Sequence, residues 1–294
     1  MNTNRPSFET WDGTRLSYEV WGNNRSEKTV VLVNGLMCTE SYWKMLIRDL
    51  SEDYRIITWD LRGHQFSECP ADPANVDVES SARDLMSLID HLKIERPALI
   101  GFSLGVQIIF EFYKLYPSRA AALIAVTGPY ENPLSTFYGL PIPIFVWEFI
   151  LGNLANKAPN FTNRVWHAAF RLPIVHTVGR AIRATRASAD LMNGFYEHQR
   201  MIDTANGMRM ALAAVKHSAR SVLPTINIPT LVIGGEKDTF SPVKLSYTMR
   251  DEIPNVEFIM VKEGTHTTIL EKPDIVNPAI CDFLSRIETW EQAG

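Results

Sequence analysis

The segment from Pro97 to Gly105 reads Pro-Ala-Leu-Ile-Gly-Phe-Ser-Leu-Gly and delivers one serine from a buried strand straight into a helix. The apolar run 98–100 is typical of a fully buried strand, and apolar residues then recur at helical spacing. Gly101 and Gly105 flank the bend, where a β-carbon would collide with the adjoining strand or the approaching helix. The pattern therefore predicts a sharp turn that exposes the hydroxyl of Ser103, and nucleophilic catalysis is the first interpretation.

Short apolar or β-branched runs continue along the chain, mostly separated by helical patterns. Asp12-Gly13 lies between two of them and predicts an antiparallel hairpin at the start. In residues 77–92 the apolar positions recur at steps of three and four, with Asp77 as the candidate N-cap. The alternation predicts a parallel sheet covered on both faces, whose ligands bind beyond the carboxyl ends of the strands. The predicted strands are 8–10, 16–20, 29–33, 54–59, 98–102, 121–126, 230–233 and 256–261.

The alternation stops between about residues 128 and 224, where helical patterns rich in Phe, Trp, Met and Ala follow one another. We predict an all-helical cap at residues 129–224, inserted into an α/β core made of residues 1–128 and 225–294. The apolar stretch 140–155 is too short and too interrupted to span a bilayer comfortably, which predicts a buried or interfacial helix. The predicted cap helices are 144–155, 162–171, 174–185, 188–202 and 207–219, with breaks at Pro159, Pro173 and Asn206-Gly207.

Composition limits the function classes. A chain of 294 residues with 46% hydrophobic and 21% charged residues is typical of a soluble globular protein, which excludes disordered and fibrous classes. Cys38, Cys69 and Cys281 are widely spaced and form no cluster with histidines at metal-ligand spacing, so we expect reduced thiols and no metal site. The polar amino terminus lacks a signal-peptide core and predicts a cytoplasmic location. We expect no nucleic-acid partner, and the oligomeric state stays open.

A serine hydroxyl is a poor nucleophile at neutral pH, so it needs a histidine to take its proton and a carboxylate to orient that histidine. His266 is the candidate base because it follows the last predicted strand, at the same sheet edge as Ser103. Asp238 follows the preceding strand and is favoured as the acid over Glu236, with Glu131 as a weaker substitute. Structural roles are expected for the other histidines: His64, His91, His167, His176, His198 and His217.

With Ser103, Asp238 and His266 in that chain order, the sequence resembles the α/β-hydrolase superfamily, whose triads run nucleophile, acid, histidine. The resemblance covers nearly the whole chain and is strongest to serine esterases, lipases and thioesterases with a helical cap after the sixth strand. It implies an α/β fold with a mostly parallel eight-stranded sheet and helices on both faces. Other matching stretches are Val-Leu-Val-Asn-Gly-Leu at 31–36, Trp-Asp-Leu-Arg-Gly-His at 59–64 and Glu-Lys-Pro-Asp at 271–274.

The resemblance also implies the remaining chemistry. The oxyanion donors of the family are backbone amides, here those of Leu36 and Leu104, and such a donor contributes about 3 kcal/mol in the transition state. Many relatives have His-Gly where this chain has Asn34-Gly35, and Asn34 is expected to brace that loop. Dehalogenases and epoxide hydrolases of this fold carry aspartate at the elbow, whereas Ser103 implies an acyl-serine intermediate from an ester, thioester or lactone. No metal or organic cofactor is needed.

The predicted cap is strongly basic. Residues 157–220 contain ten Lys or Arg and three acidic residues, about +7, so that the rest of a chain of net charge −4 is near −11. One interpretation is a surface for anions and lipid-like substrates, including peripheral membrane contact; the other is an ordinary helical layer with its own aromatic core and a charged outer face. The candidate substrate-pocket residues are Asn34, Met37, Phe102, Phe145, Trp147, Trp166 and Phe195.

Two hypotheses follow from these patterns. The first is a serine hydrolase that cleaves small carboxylic esters, including thioesters or lactones, of apolar or lipid-like acyl groups. The second is a ligand-binding sensor on the same scaffold, which would label at Ser103 but turn over slowly. Within the enzyme class, an acyltransferase or a perhydrolase would use the same three residues.

Overall fold

The computed structural model describes residues 5–132 and 144–288, without the side chains of Ile144 and Trp147. The described strands form one eight-stranded sheet in the spatial order first, second, fourth, third, fifth, sixth, seventh, eighth. The first two neighbouring pairs are antiparallel and the others are parallel. The strands are β1 (Ser7–Glu9), β2 (Arg15–Gly22), β3 (Thr29–Val33), β4 (Arg55–Trp59), β5 (Ala98–Phe102), β6 (Ala122–Val126), β7 (Thr230–Gly235) and β8 (Val256–Val261).

The sheet has this form because its central strands are apolar on both faces. In β3, Val31 and Val33 join the apolar core on one face, while Val30 and Leu32 join the core on the other. The predicted α/β architecture with a mostly parallel eight-stranded sheet is confirmed. The predicted hairpin is also present, with β1 and β2 paired on either side of Gly13, whose φ is +81°.

Helices cover both faces of the sheet. The apolar core on the face of Val31 and Val33 packs against the second, third and ninth helices of the chain. The core on the opposite face packs against the first and the eleventh helices. Five α-helices lie between β6 and β7 in the described residues, in the region predicted as the cap. The helices are α1 (Lys44–Leu50), α2 (Val78–His91), α3 (Leu104–Leu115), α4 (Ile144–Asn156), α5 (Pro159–Ala169), α6 (Val175–Ala181), α7 (Ala189–Gln199), α8 (Thr204–Lys216), α9 (Val243–Glu252), α10 (Thr268–Glu271) and α11 (Pro273–Ser285).

The predicted break at Pro159 is present, because α4 ends at Asn156 and Pro159 is the first residue of α5, a position where its missing N–H is not needed. The predicted break at Asn206-Gly207 is wrong. Asn206 and Gly207 lie inside the first turns of α8, because Asp203 caps this helix by accepting from the amides of residues 205 and 206. Gly207 lets α8 approach Met37 closely, since a β-carbon would lie 2.1 Å from the Met37 Cε atom and the end of that side chain would have to move. Asn-Gly therefore marks a close approach of the helix to the core.

The apolar helix α4 is half-buried. Leu151 and Ala155 pack against Met208 of α8, whereas Phe145 is 65% exposed and Phe149 faces solvent as well. This arrangement matches the interfacial helix expected from the sequence. Over residues 5–132 and 144–288, no helix is both long enough and apolar enough to cross a bilayer.

Helix α2 begins where the sequence predicts. Asp77 lies in extended conformation and its carboxylate accepts from the Ser80 amide at 2.6 Å, which satisfies one of the otherwise unpaired donors of the first turn. The buried face of α2 then packs against α3 under the sheet. The N-cap thus sets the start of a helix that packs against α3 and β1.

We predict that Asp77→Ala lowers the free energy of unfolding by about 1 kcal/mol, because the variant loses the capping acceptor. Asp77→Asn keeps an acceptor at the same place and serves as the matched control. Urea unfolding of the three proteins measures the difference. Equal midpoints for the alanine and asparagine variants would contradict the role of the cap.

Candidate active site

Ser103 sits on a strained bend between β5 and α3. Its φ is +55° and its ψ is −118°, a conformation that L-residues rarely adopt. The bend is possible because the backbones around it nearly touch: a β-carbon on Gly101 would lie 2.4 Å from the Gly105 carbonyl oxygen, and one on Gly105 would lie 2.2 Å from the Val33 oxygen. The crossing of β5, α3 and β3 therefore requires both glycines.

The side chains predicted to act together are in hydrogen-bond contact. His266 Nε2 lies 2.8 Å from Ser103 Oγ, and His266 Nδ1 lies 3.0 and 3.2 Å from the two carboxylate oxygens of Asp238. A carboxylate only accepts, so Nδ1 carries the ring proton and donates it to Asp238. Nε2 is then left with a lone pair that accepts the hydroxyl proton of Ser103. This is the arrangement that a general base needs.

The surroundings hold the acid and the histidine in place. Asp238 is buried, and its Oδ1 atom also accepts from the backbone amides of Phe240 and Ser241 at 2.8 and 2.9 Å. The ring of His266 lies between Phe102 and Phe240, with both ring centroids 5.3 Å away. These contacts leave the imidazole one orientation, with one nitrogen toward the carboxylate and the other toward the serine.

The alternative acids do not contact His266. Glu236 accepts from the Glu263 amide at 3.0 Å, and Glu131 accepts from the Ser218 hydroxyl at 3.5 Å. The remaining histidines have other neighbours. His91 contacts Tyr18, His176 contacts Tyr196 and His217 contacts Glu111. His64 faces the Arg62 carbonyl, and His167 faces the Ile202 carbonyl. The ring of His198 stacks on the ring of His64.

The loop after β3 lies beside the serine. Leu36 and Leu104 both line the cavity that contains Ser103, and neither amide donates a hydrogen bond to another group of the described residues. Asn34 does not line this cavity. Its buried side chain accepts from Trp43 Nε1 at 2.7 Å and donates to the Trp59 carbonyl at 3.1 Å, so it braces the loop.

A second support of this loop has no signal in the sequence. Met37 has a φ of +56°; its amide donates to His64 Nε2 at 3.0 Å, and its carbonyl accepts from the Gln199 side chain of α7 at 2.7 Å. His64 Nδ1 faces the Arg62 carbonyl, which can only accept, so the Nδ1 atom carries the proton. The neutral His64 ring therefore ties the loop after β3 to the loop after β4. Its role depends on residues that are distant in the chain.

Burial keeps this histidine neutral. It lowers the pKa of His64 to about 4, although the hydrogen bond to the Arg62 carbonyl acts in the opposite direction. His198 of α7 stacks on the same ring at a centroid distance of 5.7 Å. Burial and the neighbouring His64 lower its pKa to about 3. The junction between α7 and the core thus contains two buried, uncharged imidazoles.

Ser103 and His266 open into an apolar cavity of about 510 Å³. One wall is aromatic and runs from the core to the inserted helices through Phe102, Tyr42, Phe195, Phe170 and Trp166, with successive ring centroids 5.0 to 6.1 Å apart. The aliphatic part of the lining is supplied mainly by α6, α7 and α8: Val175, Val178, Ile182, Met192, Ala211, Ala214 and Val215.

Among the pocket residues predicted from the sequence, Met37, Phe102, Trp166 and Phe195 line this cavity. Asn34 does not, because its side chain is engaged between two strand-end loops. Phe145 does not either: it is exposed on α4, on the face turned away from Met208 of α8. The side chain of Trp147 lies outside the described residues.

A metal ion or a thiol nucleophile would be the other routes to catalysis at such a cavity. In the part of the chain that the structure describes, no group of three or more His, Cys, Asp or Glu side chains could hold a metal ion. Cys38 lines the cavity, but burial raises the pKa of its thiol to about 12. The thiol therefore stays protonated at neutral pH and is not a nucleophile. Ser103 is the cavity residue with a base in contact.

Comparison with known proteins gives consistent results. A family model described as the alpha/beta hydrolase fold matches residues 28–273. A protein of Stutzerimonas stutzeri (strain A1501), provisionally named carbamate hydrolase RutD, is 26% identical over 281 residues, which cover 95% of this chain and 98% of that protein.

Two solved structures share the fold. An esterase from Exiguobacterium antarcticum is 20% identical with a TM-score of 0.77, and it covers 96% of this chain and 100% of its own. The enol-lactonase from Burkholderia xenovorans LB400 is 21% identical with a TM-score of 0.74 and covers the same shares. Taken together, the family and its relatives support a hydrolase function.

The two buried imidazoles predict how stability depends on pH. Each histidine is protonated more easily in the unfolded chain than in the folded one, so stability falls as the pH falls below the unfolded pKa near 6.5. Between pH 7 and pH 5 each should contribute a loss of about 2 kcal/mol. His198→Leu removes one of them, and its unfolding free energy should change less steeply over this range.

Urea unfolding at several pH values measures the slope. His91→Phe, which replaces an exposed histidine of α2, is the control. A His198→Leu variant whose stability runs parallel to that of the unaltered protein from pH 7 to pH 5 would contradict the assignment.

Proposed function

Because the chain belongs to the family with the alpha/beta hydrolase fold, we propose that it is a serine hydrolase that cleaves carboxylic esters of apolar acyl groups. The observation that carries this proposal is the contact of Ser103 Oγ with His266 Nε2 at 2.8 Å, between two residues that line an apolar cavity. A nucleophile with its base in place suits acyl transfer, and an apolar lining suits a hydrocarbon acyl group.

In the proposed reaction, Ser103 Oγ attacks the acyl carbon while its proton moves to His266 Nε2. The amides of Leu36 and Leu104 donate to the negative oxygen that forms. Asp238 stabilises the imidazolium through the Nδ1 proton. The tetrahedral intermediate then expels the alcohol, which takes the proton back from Nε2 and leaves an acyl ester on the serine.

The second half of the reaction repeats these steps with water. His266 removes a proton from a water molecule, which attacks the acyl-serine carbon through a second tetrahedral intermediate. Collapse of that intermediate releases the carboxylic acid, and Nε2 returns its proton to Ser103 Oγ. One ester and one water are consumed, and one acid and one alcohol are formed.

We predict that Ser103→Ala lowers kcat/KM on p-nitrophenyl esters by at least about a thousandfold, because the variant has no nucleophile. It should also lose labelling by a fluorophosphonate. Ser241→Ala is the matched control for labelling, since Ser241 lines the same cavity and makes no contact with His266. Unchanged thermal unfolding shows that the fold is retained. Labelling of Ser103 without turnover of any ester would contradict a hydrolase and favour a sensor.

The cavity predicts a preference for medium or long acyl chains over acetate. Ala211→Phe on α8 places a ring in the cavity and should lower kcat/KM for octanoate relative to acetate by about tenfold or more. Ala213→Phe, on the same helix but outside the cavity lining, is the control. Rates on a series of p-nitrophenyl esters measure the ratio. An unaltered protein that hydrolyses acetate best would contradict the proposed acyl specificity.

A further inference from the structure

Large apolar side chains are exposed on the outside of α5, the turn after it and α6. The exposed fractions of these side chains lie between 45% and 65%, whereas the apolar side chains of the central strands are buried. The two on α5, Phe161 and Val165, are four residues apart and so share one face of the helix. We give the name α5–α6 surface to these apolar side chains together with Arg164, Arg171 and Arg180. Its apolar members are Phe161, Val165, Leu172, Ile174, Val178 and Ile182.

Cations lie among these apolar side chains and acids do not. Between Glu148 and Asp190 the sequence has six Lys or Arg and no acidic residue. Arg164, Arg171 and Arg180 are exposed, and none of the three forms an ion pair with another part of the described chain. The excess positive charge of the α5–α6 surface is therefore not neutralised within the molecule.

The surface also adjoins the cavity. Val178 and Ile182 line the cavity with Ser103, yet they are 46% and 45% exposed. The same side chains thus face both the interior space and the solvent. A molecule held against the α5–α6 surface would meet the entrance directly.

We propose that the α5–α6 surface docks on a lipid bilayer that contains anionic headgroups. Helices whose apolar side chains alternate with unpaired cations lie in the interface of such a bilayer, with the apolar groups below the headgroups and the arginines among them. The chain outside residues 157–220 carries a charge near −11 and is repelled by the same bilayer, so one orientation is selected. That orientation turns the cavity entrance toward the lipid. Only this last consequence rests on the proposed hydrolase function.

Flotation with vesicles tests the docking in a Ser103→Ala background, which keeps catalysis out of the measurement. Vesicles of phosphatidylcholine alone are compared with an equimolar mixture of phosphatidylcholine and phosphatidylglycerol. We expect binding to the mixed vesicles that weakens as salt is added. Arg164→Glu/Arg171→Glu/Arg180→Glu should reduce this binding by about tenfold or more. Phe161→Ser/Leu172→Ser, which keeps the charge, should reduce it as well.

The matched control is Arg25→Glu/Lys28→Glu/Lys244→Glu, which reverses three exposed cations of the core. It should bind mixed vesicles like the parent, and circular dichroism shows that each variant is folded. Absence of binding to mixed vesicles, or equal losses in the two triple variants, would overturn the proposal. So would sedimentation showing that the chain self-associates through the α5–α6 surface, or an acidic protein binding there in preference to vesicles.

Discussion

The structure depends on the near contact between the end of β3 and the turn after β5. No β-carbon fits at Gly105, because the Val33 carbonyl oxygen occupies that space. This approach brings the amides of Leu36 and Leu104, which follow the two strands, to one cavity beside Ser103. In the sheet, β4 lies on one side of β3 and β5 lies on the other, so the order of the strands reverses between β3 and β5. Ligands of open α/β sheets bind at such a point. Packing of two strands thus determines where chemistry can occur.

The apolar lining gives the site its electrostatic character. Asp238 lies behind the histidine, away from the cavity, and is held by two backbone amides, so its charge is stabilised without contact with substrate. The cavity wall near Ser103 consists of aromatic and aliphatic groups and a protonated thiol. In such apolar surroundings a donor aimed at a developing negative oxygen contributes more than it would in solvent.

The sequence predicted the fold, and it also predicted that Ser103, Asp238 and His266 lie close together, as the structure places them. These three could be chosen from the sequence because each follows a strand, and the carboxyl ends of parallel strands meet at one edge of the sheet. His64 and Gln199 could not be assigned to the loop after β3, because their contacts join segments far apart in the chain and leave no periodic pattern. Gly207 was misread for a related reason: its small size serves a contact with Met37, and local propensity suggests a break instead.

Two amide side chains connect the inserted helices to carbonyl oxygens of the core. Gln199 donates to the Met37 carbonyl and Asn206 to the Arg62 carbonyl, each at 2.7 Å and in buried positions. A buried carbonyl without a donor costs about 1 to 3 kcal/mol. Loss of Gln199 would leave the Met37 carbonyl without its side-chain donor, whereas the Arg62 carbonyl also accepts from His64 Nδ1. An insertion taken from a related protein would therefore need an amide at the place of Gln199 above all. Modular recombination in this architecture is limited by hydrogen-bond pairing at the seam as well as by the shape of the pocket.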